Sequence, residues 1–172
     1  MYNNYSQPIV IAEIGCNHKG DMSLARRLLR AAANSGVAAV KFQKRNNKEL
    51  LTKEQYNEPH PNPINSYGET YGQHREFLEF NISQHKELKS FTEDLGLIYS
   101  TSIWDVTSAN EIILINPVFI KVPSACNNNF EILEVLRDKY RGEIHISFGM
   151  TTHKEEEEIV SFFEKRDQSK RL

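Results

Sequence analysis

Five short apolar runs, rich in isoleucine and valine, alternate with amphipathic segments along the chain, and this alternation limits the folds open to it. Near-continuous apolar runs are typical of strands in a sheet that is covered on both faces. A strand followed by a helix, repeated in this way, predicts a parallel α/β sheet with right-handed crossovers. The expected strands are residues 9–14, 38–43, 97–103, 118–122 and 143–148.

One connection between a strand and its helix is much longer than the others. Residues 44–82 include the stretches PHPNP and SYGETYG, and we interpret them as a long loop. Loops of this length in compact domains are usually functional or disordered. Five strand–helix units suit either an open doubly wound sheet or part of an eight-stranded barrel, and periodicity alone does not choose between these folds.

The composition argues against several classes of function. The formal net charge is −2, so there is no overall electrostatic case for binding nucleic acid or an anionic membrane surface. No apolar run approaches the ~20 residues that span a bilayer. The polar N-terminus lacks the features of a signal peptide, and two isolated cysteines suit a reducing compartment. We therefore expect a cytoplasmic protein.

Polar side chains occur where each predicted strand stops. Lys41 and Gln43 are two residues apart and therefore point to the same face of their strand. The carboxyl ends of parallel strands meet at one edge of a sheet, so these side chains can converge on one pocket. Two lysines with hydroxyl groups nearby suit a phosphate ester. The strand-end residues are Glu13, Lys41, Gln43, Ser100, Thr101, Lys121, Ser124 and Ser147.

Each of these residues also has a purely structural interpretation. A lone strand-end lysine is commonly a solvated loop residue, and Thr101 and Ser124 could be turn hydroxyls bonded to the backbone. The joint pattern on successive strands nevertheless favours an anion-binding active site. The sequence contains no Walker, GxGxxG, HExxH or GxSxG motif, and its histidines lack metal-ligand spacing. His145, in the middle of a strand, fits a packed core histidine.

Five motifs, in order along the chain, resemble the N-acetylneuraminate (sialic acid) synthase family, which includes legionaminic and pseudaminic acid synthases. They are IAEIGCNHKG at 11–20, AVKFQ at 39–43, YSTS at 99–102, FIKVPSA at 119–125 and SFGMTT at 147–152. The resemblance implies an α/β fold of the (β/α)8 TIM-barrel type, truncated after about five βα units. Residues 1–172 would then form a partial barrel domain, and the family's C-terminal antifreeze-like domain would be absent.

The resemblance also implies a reaction. Members of the family condense phosphoenolpyruvate with N-acetylmannosamine or a related N-acetylated amino sugar and release phosphate. A divalent metal (Mn2+ or Mg2+) polarises the sugar aldehyde, and its ligands are expected beyond Leu172. Full-length relatives would be homodimers.

Carried over to this sequence, the family pattern assigns a role to each candidate residue. Cys126 stands where many relatives carry an acid, so we expect it to influence the choice of sugar. Two alternatives stay open: a Schiff-base aldolase that uses Lys41 or Lys121, and a non-catalytic fragment that only binds a ligand. The implied catalytic residues are Glu13, Lys41 and Lys121, and the implied substrate-binding residues are Gln43, Thr101, Ser124 and Cys126.

Overall fold

The computed structural model describes residues 8–164, which form a five-stranded parallel sheet flanked by helices. Each predicted strand is present, with ends shifted by at most two residues. The strands are β1 (Ile11–Gly15), β2 (Ala39–Lys44), β3 (Ile98–Ile103), β4 (Phe119–Val122) and β5 (Glu143–Ile146). Residues 1–7 and 165–172 lie outside the described part.

Eight α-helices connect or follow these strands within residues 8–164. None of them is long and apolar enough to cross a membrane. They are α1 (Met22–Asn34), α2 (Asn47–Leu50), α3 (Lys53–Asn57), α4 (Tyr71–Phe77), α5 (Ile82–Asp94), α6 (Val106–Ile115), α7 (Phe130–Lys139) and α8 (His153–Glu164). Two 3₁₀ turns cover Pro63–Asn65 and Ser124–Cys126.

The spatial order of the strands is their order in the chain, β1-β2-β3-β4-β5. A doubly wound sheet reverses this order at a switch point, where its ligand site lies. Each strand here pairs in parallel with the next one along the chain, as consecutive strands of a barrel do. The order therefore removes the doubly wound alternative for the described residues.

Alternate residues of each strand lie on opposite faces of the sheet. One face packs against the helices: Phe42 and Tyr99 contact α1 and α5, while Ile120 and Ile144 contact α6, α7 and α8. The other face, which we call the open face, carries the polar side chains. Across neighbouring strands, the register pairs on this face are Glu13 with Lys41, Lys41 with Ser100, Gln43 with Ser102, Ser102 with Lys121, and Lys121 with His145.

Residues 44–82 are more regular than the long loop expected from the sequence. They contain α2, α3, α4 and a 3₁₀ turn, and reciprocal capping hydrogen bonds begin α3 at Thr52 and α4 at Thr70. Gly72 of α4 lies directly against the Tyr56 ring of α3, so a β-carbon there would overlap the ring. Helices of four to seven residues are too short to show a clear helical period, which is why the sequence pattern missed them.

Candidate active site

Lys41, on the open face of β2, forms the centre of the candidate site. Its ammonium group donates one hydrogen bond of 2.8 Å to the Glu13 carboxylate on β1 and another of 2.8 Å to the Ser102 hydroxyl on β3. The Lys41 side chain is 8% exposed, whereas that of Glu13 is 61% exposed. Two neighbouring strands therefore hold a buried positive charge, and a solvent-facing carboxylate lies beside it.

A second lysine lies on the next strand but one. Lys121 on β4 is the register partner of Ser102, so Lys41, Ser102 and Lys121 occupy three successive strands. Burial lowers the pKa of Lys121, and the positive charge of Lys41 lowers it further, while Glu13 acts in the opposite direction. Since a nearby positive charge disfavours the charged form of Lys121, an anion bound beside it would be stabilising. The structure thus brings together the two lysines that the sequence predicted to converge.

Gln43 follows Lys41 along the same face of β2. A β-carbon added at Gly15 would lie 3.6 Å from Gln43 Nε2, so this amide lies beside the C-terminal end of β1. Gln43 Oε1 is buried and has no hydrogen-bond partner among the described residues. A buried acceptor without a partner costs free energy, so this oxygen is suited to accept a hydrogen bond from a ligand.

Ser124 lies just after β4, at the edge where the strands end. The loop that follows β5 packs against it, because a β-carbon added at Gly149 would lie only 2.7 Å from Ser124 Oγ. Asn127 links the same two loops by donating hydrogen bonds to the Ser147 carbonyl (2.9 Å) and to Thr151 Oγ1 (2.6 Å). The loops after β4 and β5 are therefore linked to each other, and the first of them begins two residues after Lys121.

Thr101 does not belong to this group, and its predicted place beside the lysines is corrected. It is fully buried on the helix-covered face, opposite Phe42 in the neighbouring strand. Ser102, the next residue, instead contacts Lys41. The YSTS motif contains both Thr101 and Ser102, and a shift of one residue along a strand exchanges the two faces. Only the register of β3 against β2 distinguishes them.

Cys126 is also placed differently from the prediction that it contacts the sugar. It is 9% exposed and belongs to the apolar core formed with Ile103 and Ile120. Its thiol is directed at the backbone carbonyls of Ile103 and Pro123, at 3.8 and 3.7 Å. Burial raises the pKa of Cys126 to about 12, so the thiol is neutral. The 3₁₀ turn that begins at Ser124 folds residue 126 back into the core.

His145, which the sequence suggested was a core histidine, lies on the open face. It is the register partner of Lys121, and 44% of its side chain is exposed. Its ring stacks on Phe119 with 4.5 Å between the centroids, and Nε2 lies 3.5 Å from the Glu143 carboxylate. β5 has a single neighbouring strand among the described residues, so its open-face side chains are covered from one side only.

No metal centre is formed within residues 8–164. No group of three or more histidine, cysteine, aspartate or glutamate side chains in this range could hold a metal ion. The predicted Mn2+ or Mg2+, whose ligands were expected beyond Leu172, therefore has no such ligand set among these residues.

The strand order and the polar open face define a class of protein: an α/β protein whose parallel strands follow barrel-type order and carry two lysines and several hydroxyl groups on one face. Its sequence identifies the family to which it belongs. The chain belongs to the NeuB family, whose profile matches residues 28–172. This confirms the family that the five motifs predicted.

Named relatives are similar along most of the chain. N-acetylneuraminate-9-phosphate synthase from Mus musculus is 37% identical over 141 residues, which are 82% of this chain and 39% of the mouse protein. N,N'-diacetyllegionaminic acid synthase from Campylobacter jejuni is 29% identical over 153 residues, which are 89% of this chain and 46% of that protein. The chain thus spans less than half the length of these curated relatives.

Solved structures show the same fold. An N-acetylneuraminic acid (sialic acid) synthetase from Leptospira borgpetersenii, in complex with citrate, superposes with a TM-score of 0.77 at 26% identity. The match covers 95% of this chain and 52% of that protein. A truncated 3-deoxy-D-arabino-heptulosonate 7-phosphate synthase from Thermotoga maritima, with a TM-score of 0.62, 11% identity and 94% and 48% coverage, shares the fold alone.

Proposed function

We propose that this chain supplies the phosphoenolpyruvate-binding part of a NeuB-family synthase site. The reaction would join phosphoenolpyruvate to N-acetylmannosamine or a related N-acetylated amino sugar and release phosphate. One observation carries the proposal: buried Lys41 bridges Glu13 and Ser102, and Lys121 on β4 is the register partner of Ser102. Membership of the family and the names of the relatives support the substrate class.

Phosphoenolpyruvate carries a phosphate and a carboxylate, and the open face offers complementary groups for both. Lys41 and Lys121 supply positive charge, and Ser102 and Ser124 supply hydroxyl donors. Hydrogen bonds from charged donors to phosphate or carboxylate oxygens are roughly twice as strong as neutral ones. Binding the anion would also relieve the mutual repulsion of the two lysines.

In the proposed reaction, C3 of phosphoenolpyruvate forms a bond to the aldehyde carbon of the open-chain sugar. Water adds at C2, and phosphate leaves as the C2–O bond breaks. Glu13 lies on the solvent side of Lys41, where its carboxylate can accept hydrogen bonds from sugar hydroxyls or take part in proton transfer. Gln43, with its unpaired Oε1, would orient the sugar from the adjacent position on β2.

The acceptor is proposed as a class. The Mus musculus relative is named for a 9-phosphorylated product, whereas the Campylobacter jejuni relative is named for a product without phosphate. Both names describe N-acetylated sugar acids. An N-acetylated amino sugar aldehyde is therefore the acceptor that the proposal names.

Calorimetric titration of the purified chain with phosphoenolpyruvate tests the proposal. We expect saturable binding that Lys41→Met and Lys121→Met each weaken by at least about tenfold, since each removes a charge that faces the anion. Lys86→Met, at an exposed position on α5, is the matched control and should bind as the wild type does. Absence of binding, or equal affinity in all three variants, would contradict the proposal.

The Schiff-base aldolase remains a second candidate because burial lowers the pKa of Lys121, which favours the neutral amine that attacks a carbonyl. Borohydride added in the presence of pyruvate distinguishes the two functions. An aldolase would acquire a permanent adduct on Lys121, which peptide mass mapping would locate. The proposed synthase forms no imine and should remain unmodified.

A further inference from the structure

The three consecutive asparagines at 127–129 have distinct positions in the structure. Asn129 is the N-cap of α7, and its side chain accepts hydrogen bonds from the backbone N–H groups of Glu131 and Ile132. Asn127 is only 3% exposed, and its side chain points away from the helix toward the loop between β5 and α8. Asn129 therefore caps a helix, whereas Asn127 connects two loops.

Asn127 contacts that loop near both of its ends. Its amide nitrogen donates to the Ser147 carbonyl at 2.9 Å and to Thr151 Oγ1 at 2.6 Å. Between these two contacts lies Met150, whose φ of 62° is in the left-handed region that residues other than glycine rarely adopt. Such a conformation persists only where the surrounding structure holds it, and the two bonds from Asn127 do so here.

The loop held in this way lies directly beside the proposed anion site. Gly149 is close enough to Ser124 that an added β-carbon would lie 2.7 Å from Oγ. No hydrogen-bond acceptor within residues 8–164 is found for the backbone N–H groups of residues 148–151. Successive N–H groups in a turn with a left-handed residue are a common arrangement for binding anions.

We infer that Asn127 is a positioning residue for phosphoenolpyruvate. By holding residues 147–151 against Ser124, it presents the Ser124 hydroxyl and the unpaired backbone N–H groups of the loop to the same anion as Lys121. Asn127 itself does not touch the ligand. The inference rests on the proposed function and assigns the loop after β5 a role in binding the phosphate or carboxylate group.

Asn127→Leu tests the inference because it keeps the branching and the number of side-chain heavy atoms and removes both hydrogen bonds. We expect the dissociation constant for phosphoenolpyruvate to rise about tenfold, as the loss of ordered contacts predicts. Thr151→Val removes one of the two bonds and should raise it by about threefold. The double variant should bind no more weakly than Asn127→Leu, since both changes release the same loop.

Asn129→Ala is the matched control, with the same residue type two positions away. Loss of the helix cap should lower the melting temperature and leave the affinity for phosphoenolpyruvate unchanged. Hydrogen exchange at the Ser147 amide, which donates to the Val122 carbonyl at 3.0 Å, should accelerate in Asn127→Leu and not in Asn129→Ala. If Asn127→Leu does not fold, Thr151→Val, with its affinity and exchange readouts, decides the question.

The outcomes separate this inference from the function on which it rests. Wild-type affinity in Asn127→Leu, with binding still abolished by Lys121→Met, would overturn the inference alone. Equal losses of affinity in Asn127→Leu and Asn129→Ala would also overturn it, because the effect would then follow stability. A wild-type chain that binds no phosphoenolpyruvate would overturn both.

Discussion

Lys41 Nζ lies 2.8 Å from Ser102 Oγ, although the two residues are 61 positions apart in the chain. The contact exists because β2 and β3 are neighbouring parallel strands in which Gln43 is paired with Ser102 and Lys41 with Ser100. Residues 45–81 and α5 lie between them in sequence and fold outside the sheet. A site residue on β3 is therefore selected by register and not by proximity in sequence.

Replacing Ser102 by alanine should weaken the binding of phosphoenolpyruvate by about 1 kcal/mol, the usual contribution of one hydrogen bond. Thr101→Val is the control of similar shape on the opposite face, and it should leave the affinity unchanged. Calorimetric titration of the two variants measures both effects. A larger loss of affinity in Thr101→Val than in Ser102→Ala would place Thr101, and not Ser102, in the site.

The affinity for phosphoenolpyruvate should fall at alkaline pH. Burial and the charge of Lys41 lower the pKa of Lys121 below the ordinary value of 10.5, so its ammonium form is lost at a lower pH than that of a free lysine. Titrations between about pH 7 and pH 10 would show the dissociation constant rising with pH. Lys121→Arg, which stays charged, should remove that part of the dependence, and a flat wild-type profile would be inconsistent with this assignment.

Acid should destabilise the fold through two buried histidines. Burial lowers the pKa of His85 to about 3 and that of His18 to about 4. Since both lie below the ordinary 6.5, the unfolded chain binds protons first, and the stabilisation present above pH 6.5 is lost as the pH falls toward these values. At pH 5 each histidine should cost roughly 2 kcal/mol of unfolding free energy.

Urea unfolding at pH 7.5 and pH 5 measures this effect. His85→Gln should be less stable at pH 7.5, because the hydrogen bond with Tyr99 changes, but should lose less stability on acidification. His153→Gln, at a fully exposed position, should keep the wild-type dependence on pH. Equal pH dependence in His85→Gln and wild type would show that His85 titrates normally in the folded protein.

The two cysteines should differ in their reactivity. Burial raises the pKa of both thiols, to about 12 for Cys126, but Cys16 is partly exposed whereas Cys126 lies in the core. Iodoacetamide at pH 7.5 should label Cys16 first, and labelling of Cys126 should require unfolding. Peptide mapping over time measures the two rates. Native-state labelling of Cys126 as fast as that of Cys16 would place its thiol at the surface.

The sequence predicted the elements that depend on local pattern. The five strands were found because apolar runs of this length and composition form buried strands wherever they occur. Lys41 and Gln43 were placed on one face because the two-residue period of a strand requires it. The sequence pattern did not predict the short capped helices within residues 44–82. Helices of four to seven residues show no helical period, and a capping residue indicates a helix only where a helical pattern follows it.

By itself, the sequence determined which residues form strands, which family motifs they carry and which side chains share a face within one strand. Only the tertiary structure decided which face is open: it put Ser102 in place of Thr101 beside Lys41, buried Cys126, exposed His145 and joined Asn127 to Thr151. The physical reason is that the period within a strand is local, whereas its register and its helix-covered side depend on packing against residues far away in the chain.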